Sequence, residues 1–171
     1  HIEQKNFAAD QAQYDYVLSV DADEVLSEDL ITSIKLAKEN WCADAYYMNR
    51  LNNYCGSWIK YCGWYPDRKL RLWDRRKGKW QGRNPHDEFR LHESSHLGYL
   101  IGDLFHYSIK SVDHHLDIID SFSTIAANAM FEDEVKGYQW KKYINPTIKF
   151  IKQYLLKAGF LDGINGYRIC K

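Results

Sequence analysis

No charge of either sign prevails in this 171-residue chain: 23 Lys and Arg face 23 Asp and Glu. That balance excludes a global basic field of the kind that gathers nucleic acid or anionic lipid. No apolar run approaches the roughly 20 residues of a membrane-spanning helix. The opening His1-Ile2-Glu3-Gln4-Lys5 has no apolar stretch behind a basic one, so no signal peptide is expected. There are only three prolines and no repeat, low-complexity stretch or Pro/Gly/Ser linker, which predicts a single structural unit over residues 1–171. The four cysteines, Cys42, Cys55, Cys62 and Cys170, form no CxxC pair. Reduced thiols in a cytoplasmic setting are the expectation, and a zinc site on Cys55 and Cys62 has no spacing signature behind it.

What is present is a globular composition, 45% hydrophobic and 27% charged, with an aromatic share of 15% that includes 13 Tyr and 6 Trp. Aromatic rings with polar tips serve cores, but also wet interfaces and stacking surfaces for sugar faces or nucleobases. Acids concentrate in the first fifty residues, whereas Lys60 to Arg90 holds a basic block.

Lys5 to Gln13 reads as the tail of a helix, followed by Tyr16-Val17-Leu18-Ser19-Val20, a compact apolar run that suits a strand buried on both faces of a parallel or mixed sheet. Ser27 is a predicted N-cap, with Glu28 and Asp29 in the first turn and Leu30, Ile31, Ile34 and Ala37 as an apolar stripe. Strands are expected at Ala45 to Leu51, Trp58 to Tyr61, Leu70 to Trp73 and Leu100 to Tyr107. Asp74 to Gly78 reads as a charged hairpin turn. Helices are expected over Val112 to Met130 and Asn145 to Leu156, with Pro146 at a tolerated early position and Gly159 as the stop. This order predicts an α/β or α+β domain, a sheet flanked by helices with further helices at the C-terminal end.

Ser19-Val20-Asp21-Ala22-Asp23-Glu24 carries the chemistry. In extended chain Asp21 and Asp23 project to one side, and two hard oxygen ligands at a strand's C-terminal end suit Mg²⁺ or Mn²⁺, completed by phosphates and water. Open α/β sheets place ligand sites at that end. A solvated acidic turn capping the next helix is the other reading of the same residues.

Asn6-Phe7-Ala8 and Asp15 to Ser27 resemble the middle of family 2 glycosyltransferases with the GT-A fold, in particular the branch that includes β-glucosyltransferases of lipopolysaccharide core synthesis. Further blocks agree in order: Gly63-Trp64-Tyr65-Pro66-Asp67 with Lys69-Leu70-Arg71-Leu72, Trp80-Gln81-Gly82, Pro85-His86-Asp87, Phe105-His106-Tyr107-Ser108, and Gly159-Phe160-Leu161-Asp162-Gly163. The family begins with roughly 80–100 further residues that form nucleotide-binding βαβ units. The resemblance therefore implies a partial GT-A domain: the metal motif and the acceptor-side half, starting just upstream of Asp21.

The resemblance also implies roles. An acceptor hydroxyl would displace a nucleoside diphosphate, most simply UDP, from a hexose with inversion, in surface polysaccharide or lipopolysaccharide synthesis. Asp87 is the expected base and Glu88 its understudy; in extended chain only one of the two can face the site. Asp23 is the expected direct ligand of Mg²⁺ or Mn²⁺, Asp21 a ligand or ribose contact, and His106 the later residue approaching the ion or diphosphate. Lys5, Asn6, Arg68 and Arg71 are expected on the donor, since an arginine holds phosphate through two parallel hydrogen bonds. Trp64, Tyr65 and Trp80 are candidates to stack on a glycan or lipid-linked glycan acceptor, with Asp67 bonding its hydroxyls; burial in the core competes for each ring. Arg75, Arg76, Lys77 and Lys79 read as a solvated face. The helix near Ile148, Ile151, Tyr154 and Leu155, with Lys149, Lys152 and Lys157 beside it, suits either an anionic inner membrane face or packing on the sheet. Competing functions are a metal-free carbohydrate-binding module, a metal-dependent hydrolase or nucleotidyltransferase on the same aspartates, and an inert fragment.

Overall fold

The computed structural model of this chain describes residues 2–82, 88–92, 94–134 and 141–171. It is an α/β protein whose sheet is flanked by helices. Helix α1 (Ile2–Asp10) leads to strands β1 (Tyr16–Leu18) and β2 (Glu24–Leu26), helix α2 (Glu28–Glu39), and strands β3 (Ala45–Tyr54), β4 (Ser57–Ile59) and β5 (Asp67–Asp74). A 3-10 turn at Arg75–Lys77 precedes β6 (Gly78–Gln81), β7 (Glu88–Leu91) and β8 (Leu97–Ile109). Helices α3 (Val112–Glu132) and α4 (Lys141–Phe150) follow, then a π-helical segment (Ile151–Leu156), a 3-10 turn (Gly159–Asp162) and α5 (Gly163–Cys170). The main sheet has six strands in the order β1-β5-β3-β8-β2, with β4 paired to β3; β6 and β7 form a separate ribbon. The chain divides into two compact units, residues 1–50 with 67–105, and residues 51–66 with 106–171.

The first unit is built around α2. Ser27 caps it as the sequence predicts: its Oγ accepts the N–H of Leu30 at 3.3 Å and that of Asp103 in β8 at 3.0 Å. Capping and sheet attachment thus fall to one hydroxyl. Gly102 sits at φ +104°, where a Cβ would collide with the backbone of Leu30, so the helix start can approach β8 only because glycine is there. Leu30 is fully buried with Met48, Leu72 and Leu104, while Ile34 and Ala37 continue the expected stripe against this core. A second cluster gathers Ala45, Trp73, Trp80 and Phe89, with Trp73 and Phe89 stacked at 4.2 Å.

The strand at residues 16–18 departs from expectation. It pairs antiparallel with β5 alone, at one end of the strand order, and all three residues are half-buried. Its short apolar run reflects one covered face and aromatic contact: the Tyr16 ring lies flat on Trp41 at 3.7 Å, and the Tyr16 hydroxyl donates to the Ala43 carbonyl. Strand β5 forms where expected, and Arg71 between Leu70 and Leu72 is buried in it, because carboxylates meet it there.

In the second unit, Tyr54, Ile59, Cys62, Ile109 and Cys170 form the core. Two sequence blocks about a hundred residues apart meet here. The Asp162 carboxylate accepts the backbone N–H groups of Lys60 (3.1 Å) and Tyr61 (2.8 Å), and a Cβ on Gly166 would strike the Gly159 carbonyl. Burial foremost, then Cys170 and Asp162, push the Cys62 thiol far above its ordinary pKa, so it is an inert core group. Helix α4 begins at Lys141 rather than Asn145, which leaves Pro146 inside the helix, where it withholds one bond from the carbonyl of residue 142. Among the described residues, no helix is long and apolar enough to cross a membrane.

Candidate functional site

The acidic motif leaves β1 as a turn. The Glu24 N–H donates to the Asp21 carbonyl at 3.0 Å, and Glu24 Oε2 accepts the Asp21 N–H at 3.0 Å, so the motif closes on itself twice. Asp21 and Asp23 are therefore not alternate residues of extended chain, and the same-side argument from strand geometry does not apply to them. Both are exposed at this turn, whereas the Glu24 side chain is fully buried.

Glu24 is the residue the sequence reading passed over. It anchors a cluster in which Arg71 Nη2 donates to Glu24 Oε1 and to Asp21 Oδ2, both at 2.6 Å, with Arg50 Nη1 3.5 Å from the same Glu24 oxygen. Burial works against the charge of Arg71, but Glu24 and Asp21 more than restore it and hold its pKa above that of an ordinary guanidinium. Arg71 Nε is buried and has no hydrogen-bond partner among the described residues. Arg50 continues the chain to Asp67 through Nε at 2.9 Å and Nη2 at 2.8 Å, and Lys69 Nζ reaches the other Asp67 oxygen at 3.0 Å. Burial raises the Asp67 pKa, but Arg50 and Lys69 outweigh it and keep the carboxyl below the usual range. Asp67 is thus committed to two cations.

Beside this cluster, within the first unit, lies a cavity of about 610 Å³. Lys5, Asp21, Arg68, Arg71, Trp80 and Glu88, all singled out from the sequence, line it, together with Arg50 and Lys69. Five of its lining residues are cationic and two are acidic, an excess that favours an anionic occupant. A polar, cation-rich concavity of this size is within the range for small-molecule sites.

The remaining candidates have distinct settings. Lys5 Nζ stands 4.2 Å from the centre of the Trp80 ring, and the Asn6 amide brackets Trp80, accepting its N–H at 2.9 Å and donating to its carbonyl at 3.1 Å. Asn6 thereby fixes α1 to β6, while Trp80 is 7% exposed, with its edge to Trp73. Arg68 lies over the Tyr99 ring at 5.2 Å, and Glu88 pairs with Arg90 at 2.8 Å. Asp23 is not among the residues lining the cavity. Trp64, Tyr65 and His106 belong to the second unit. There Trp64 packs edge-on to the buried Tyr54, Tyr65 precedes a cis Pro66, and His106 Nδ1 lies 2.7 Å from Asn52 Oδ1. Asp87 lies outside the described residues.

Among the described residues, no three His, Cys, Asp or Glu side chains assemble as a ligand set. The donors suit Mg²⁺ or Mn²⁺ only in the sparse mode in which one or two carboxylates hold the ion and phosphates and water complete its sphere. Asp21 and Asp23, exposed in one turn, meet that description. No protein-family model matches the chain, and no solved structure matches it.

Proposed function

We propose that this chain is the metal-motif and acceptor-side part of a GT-A glycosyltransferase that moves a hexose from a nucleotide sugar, most simply UDP-linked, to a glycan or lipid-linked glycan in surface polysaccharide or lipopolysaccharide synthesis. The observation that carries the reading is the cavity whose lining includes Lys5, Arg68, Lys69 and Arg71 together with Asp21. Cations grouped beside a carboxylate suit a diphosphate.

In this reading an acceptor hydroxyl attacks the anomeric carbon, its proton passes to the Asp87 carboxylate, and the bond from that carbon to the diphosphate oxygen breaks. Arg68, Lys69 and Lys5 take up the charge growing on the departing diphosphate. A divalent cation held by Asp21 and Asp23 would supply further neutralisation of that charge. Glu88, exposed on the cavity wall, stands next in sequence to the base.

Titration calorimetry with UDP and Mn²⁺ tests the site. Asp23→Ala is expected to weaken Mn²⁺-dependent UDP binding by about tenfold or more, the loss of roughly 1.4 kcal/mol. Unchanged affinity would remove the metal assignment. In a full-length relative, replacing the residue that matches Asp87 by Asn is expected to abolish transfer while leaving UDP affinity within about twofold, well under 1 kcal/mol; retained turnover would remove the base assignment.

A further inference from the structure

Two helical segments of the second unit pack on its core through Ile118 in one and Phe150 and Tyr154 in the other, yet leave further apolar residues in solvent, and their charges are of opposite sign. From Ile119 onward every residue of α3 is exposed. Leu116, Ile119, Phe122, Ile125 and Met130 are 43–57% exposed. The helix carries Asp113, Asp117, Asp120 and Glu132 and not one Lys or Arg. In α4 and the π-helical segment after it, Ile144, Ile148, Ile151 and Leu155 are 45–58% exposed. This stretch carries Lys141, Lys142, Lys149 and Lys152 in sequence, with Lys157 just beyond, and no Asp or Glu.

Helix surface that stays apolar and uncovered is a docking surface, and its charge decides for what. The acid-only α3 is repelled by anionic lipid, which excludes a membrane as the shared answer for both surfaces. What satisfies each is an apolar helix of the other charge, and the chain itself supplies one of each. We infer that two copies of this chain associate, with α3 of one copy on the α4–π segment of the other and the reciprocal contact made at the same time. Such a pairing is isologous: one two-fold operation generates both contacts and leaves neither helix over, so the assembly closes at two. The lengths are compatible, since 21 residues of α3 span about 31 Å and the sixteen or so of the α4–π segment about 24 Å. The apolar stripes supply the attraction, and the flanking Asp–Lys pairs set the partner and orientation.

Sedimentation equilibrium on the chain tests this through charge exchange. The unaltered chain is expected to be a dimer, with dissociation in the micromolar range ordinary for a modest interface. Asp117→Lys with Asp120→Lys makes the Leu116–Ile125 stretch of α3 basic like the Ile148–Leu155 stretch of the other segment, and Lys149→Glu with Lys152→Glu makes the latter stretch acidic like the former. Each doubly substituted chain is expected to be monomeric with an unchanged far-ultraviolet circular dichroism spectrum. An equimolar mixture of the two is expected to form a dimer again, because both contacts of the mixed pair join opposite charges. A mixture that stays monomeric, or an unaltered chain that is monomeric throughout, overturns the proposal. So does a monomer that binds phosphatidylglycerol-containing vesicles through Lys149 and Lys152, which would give the basic segment to lipid. Should either substituted chain fail to fold, carbodiimide coupling on mixed light and ¹⁵N-labelled unaltered chains decides. Cross-links between α3 carboxylates and α4–π lysines of differently labelled copies support the pairing; links confined to one copy refute it.

Discussion

Arg71 Nη2 is shared between two carboxylates of very different exposure, Glu24 at 0% and Asp21 at 48% of side-chain surface. The buried partner sets the energetic stake. A charge taken from water is tolerable only while paired, so deleting one member of such a pair costs about 3–5 kcal/mol, whereas replacing both members with apolar groups is far milder. Arg71→Met is therefore expected to lower unfolding free energy in urea by about 3–5 kcal/mol, and Glu24→Leu with Arg71→Met by clearly less. Equal losses would mean that Glu24 is satisfied without Arg71. This cluster also shows where sequence inspection stops. Asp21 and Asp23 drew attention as a short motif, but the residue that organises the turn is Glu24, and nothing in the local pattern distinguishes a buried acid from a solvated one. The clue lay about fifty residues away, in an arginine set between leucines in a strand, and only the pairing of β5 with the rest of the sheet connects the two.

At the scale of elements, legibility follows how local the determinants are. The cap and stripe of α2 were readable because Ser27 and Leu30 act within one turn; the second role of Ser27, holding Asp103 of β8, was not, because it spans 76 residues. Ser27→Ala accordingly removes two hydrogen bonds. It is expected to destabilise the protein by about 1–2 kcal/mol in chemical denaturation, the upper part of the range for a cap. The start of α3 offers a second case. His115 is half-buried beside Tyr54, its Nδ1 2.9 Å from the hydroxyl and its ring edge-on to the phenol, a contact between residues 61 apart that no local pattern announces. Burial disfavours the imidazolium and lowers the His115 pKa below its ordinary 6.5. The unfolded chain then binds the proton more readily than the folded one. The contribution to stability is full above pH 6.5 and is lost as pH falls from there through the depressed folded value. Melting temperatures between pH 7.5 and 5 are expected to fall less steeply for His115→Gln than for the unaltered chain. Parallel slopes would assign the acid sensitivity elsewhere.

For the molecule as a whole, neutrality conceals segregation: the net charge is zero, yet five of the residues lining one cavity are Lys or Arg. A net charge of zero gives no long-range attraction for an anion, so any preference for phosphate must arise within the cavity, over distances comparable to the screening length of physiological salt, about 8 Å. Part of that cationic surplus is already committed, Arg71 to Glu24 and Asp21, Arg50 and Lys69 to Asp67, which leaves a moderate rather than an extreme field. Salt dependence measured against phosphate number separates this local mechanism from binding by aromatic stacking alone. Raising NaCl from about 50 mM to about 500 mM is expected to weaken UDP binding several-fold, UMP binding less and uridine binding hardly at all, because only the phosphates meet the cations being screened. Arg68→Ala is expected to flatten the UDP response, since its guanidinium sits over Tyr99 rather than in a carboxylate pair and its removal disturbs no buried charge. If uridine and UDP lose affinity in parallel, the cations of this cavity do not hold the diphosphate, and the donor must be sought on another surface of the chain.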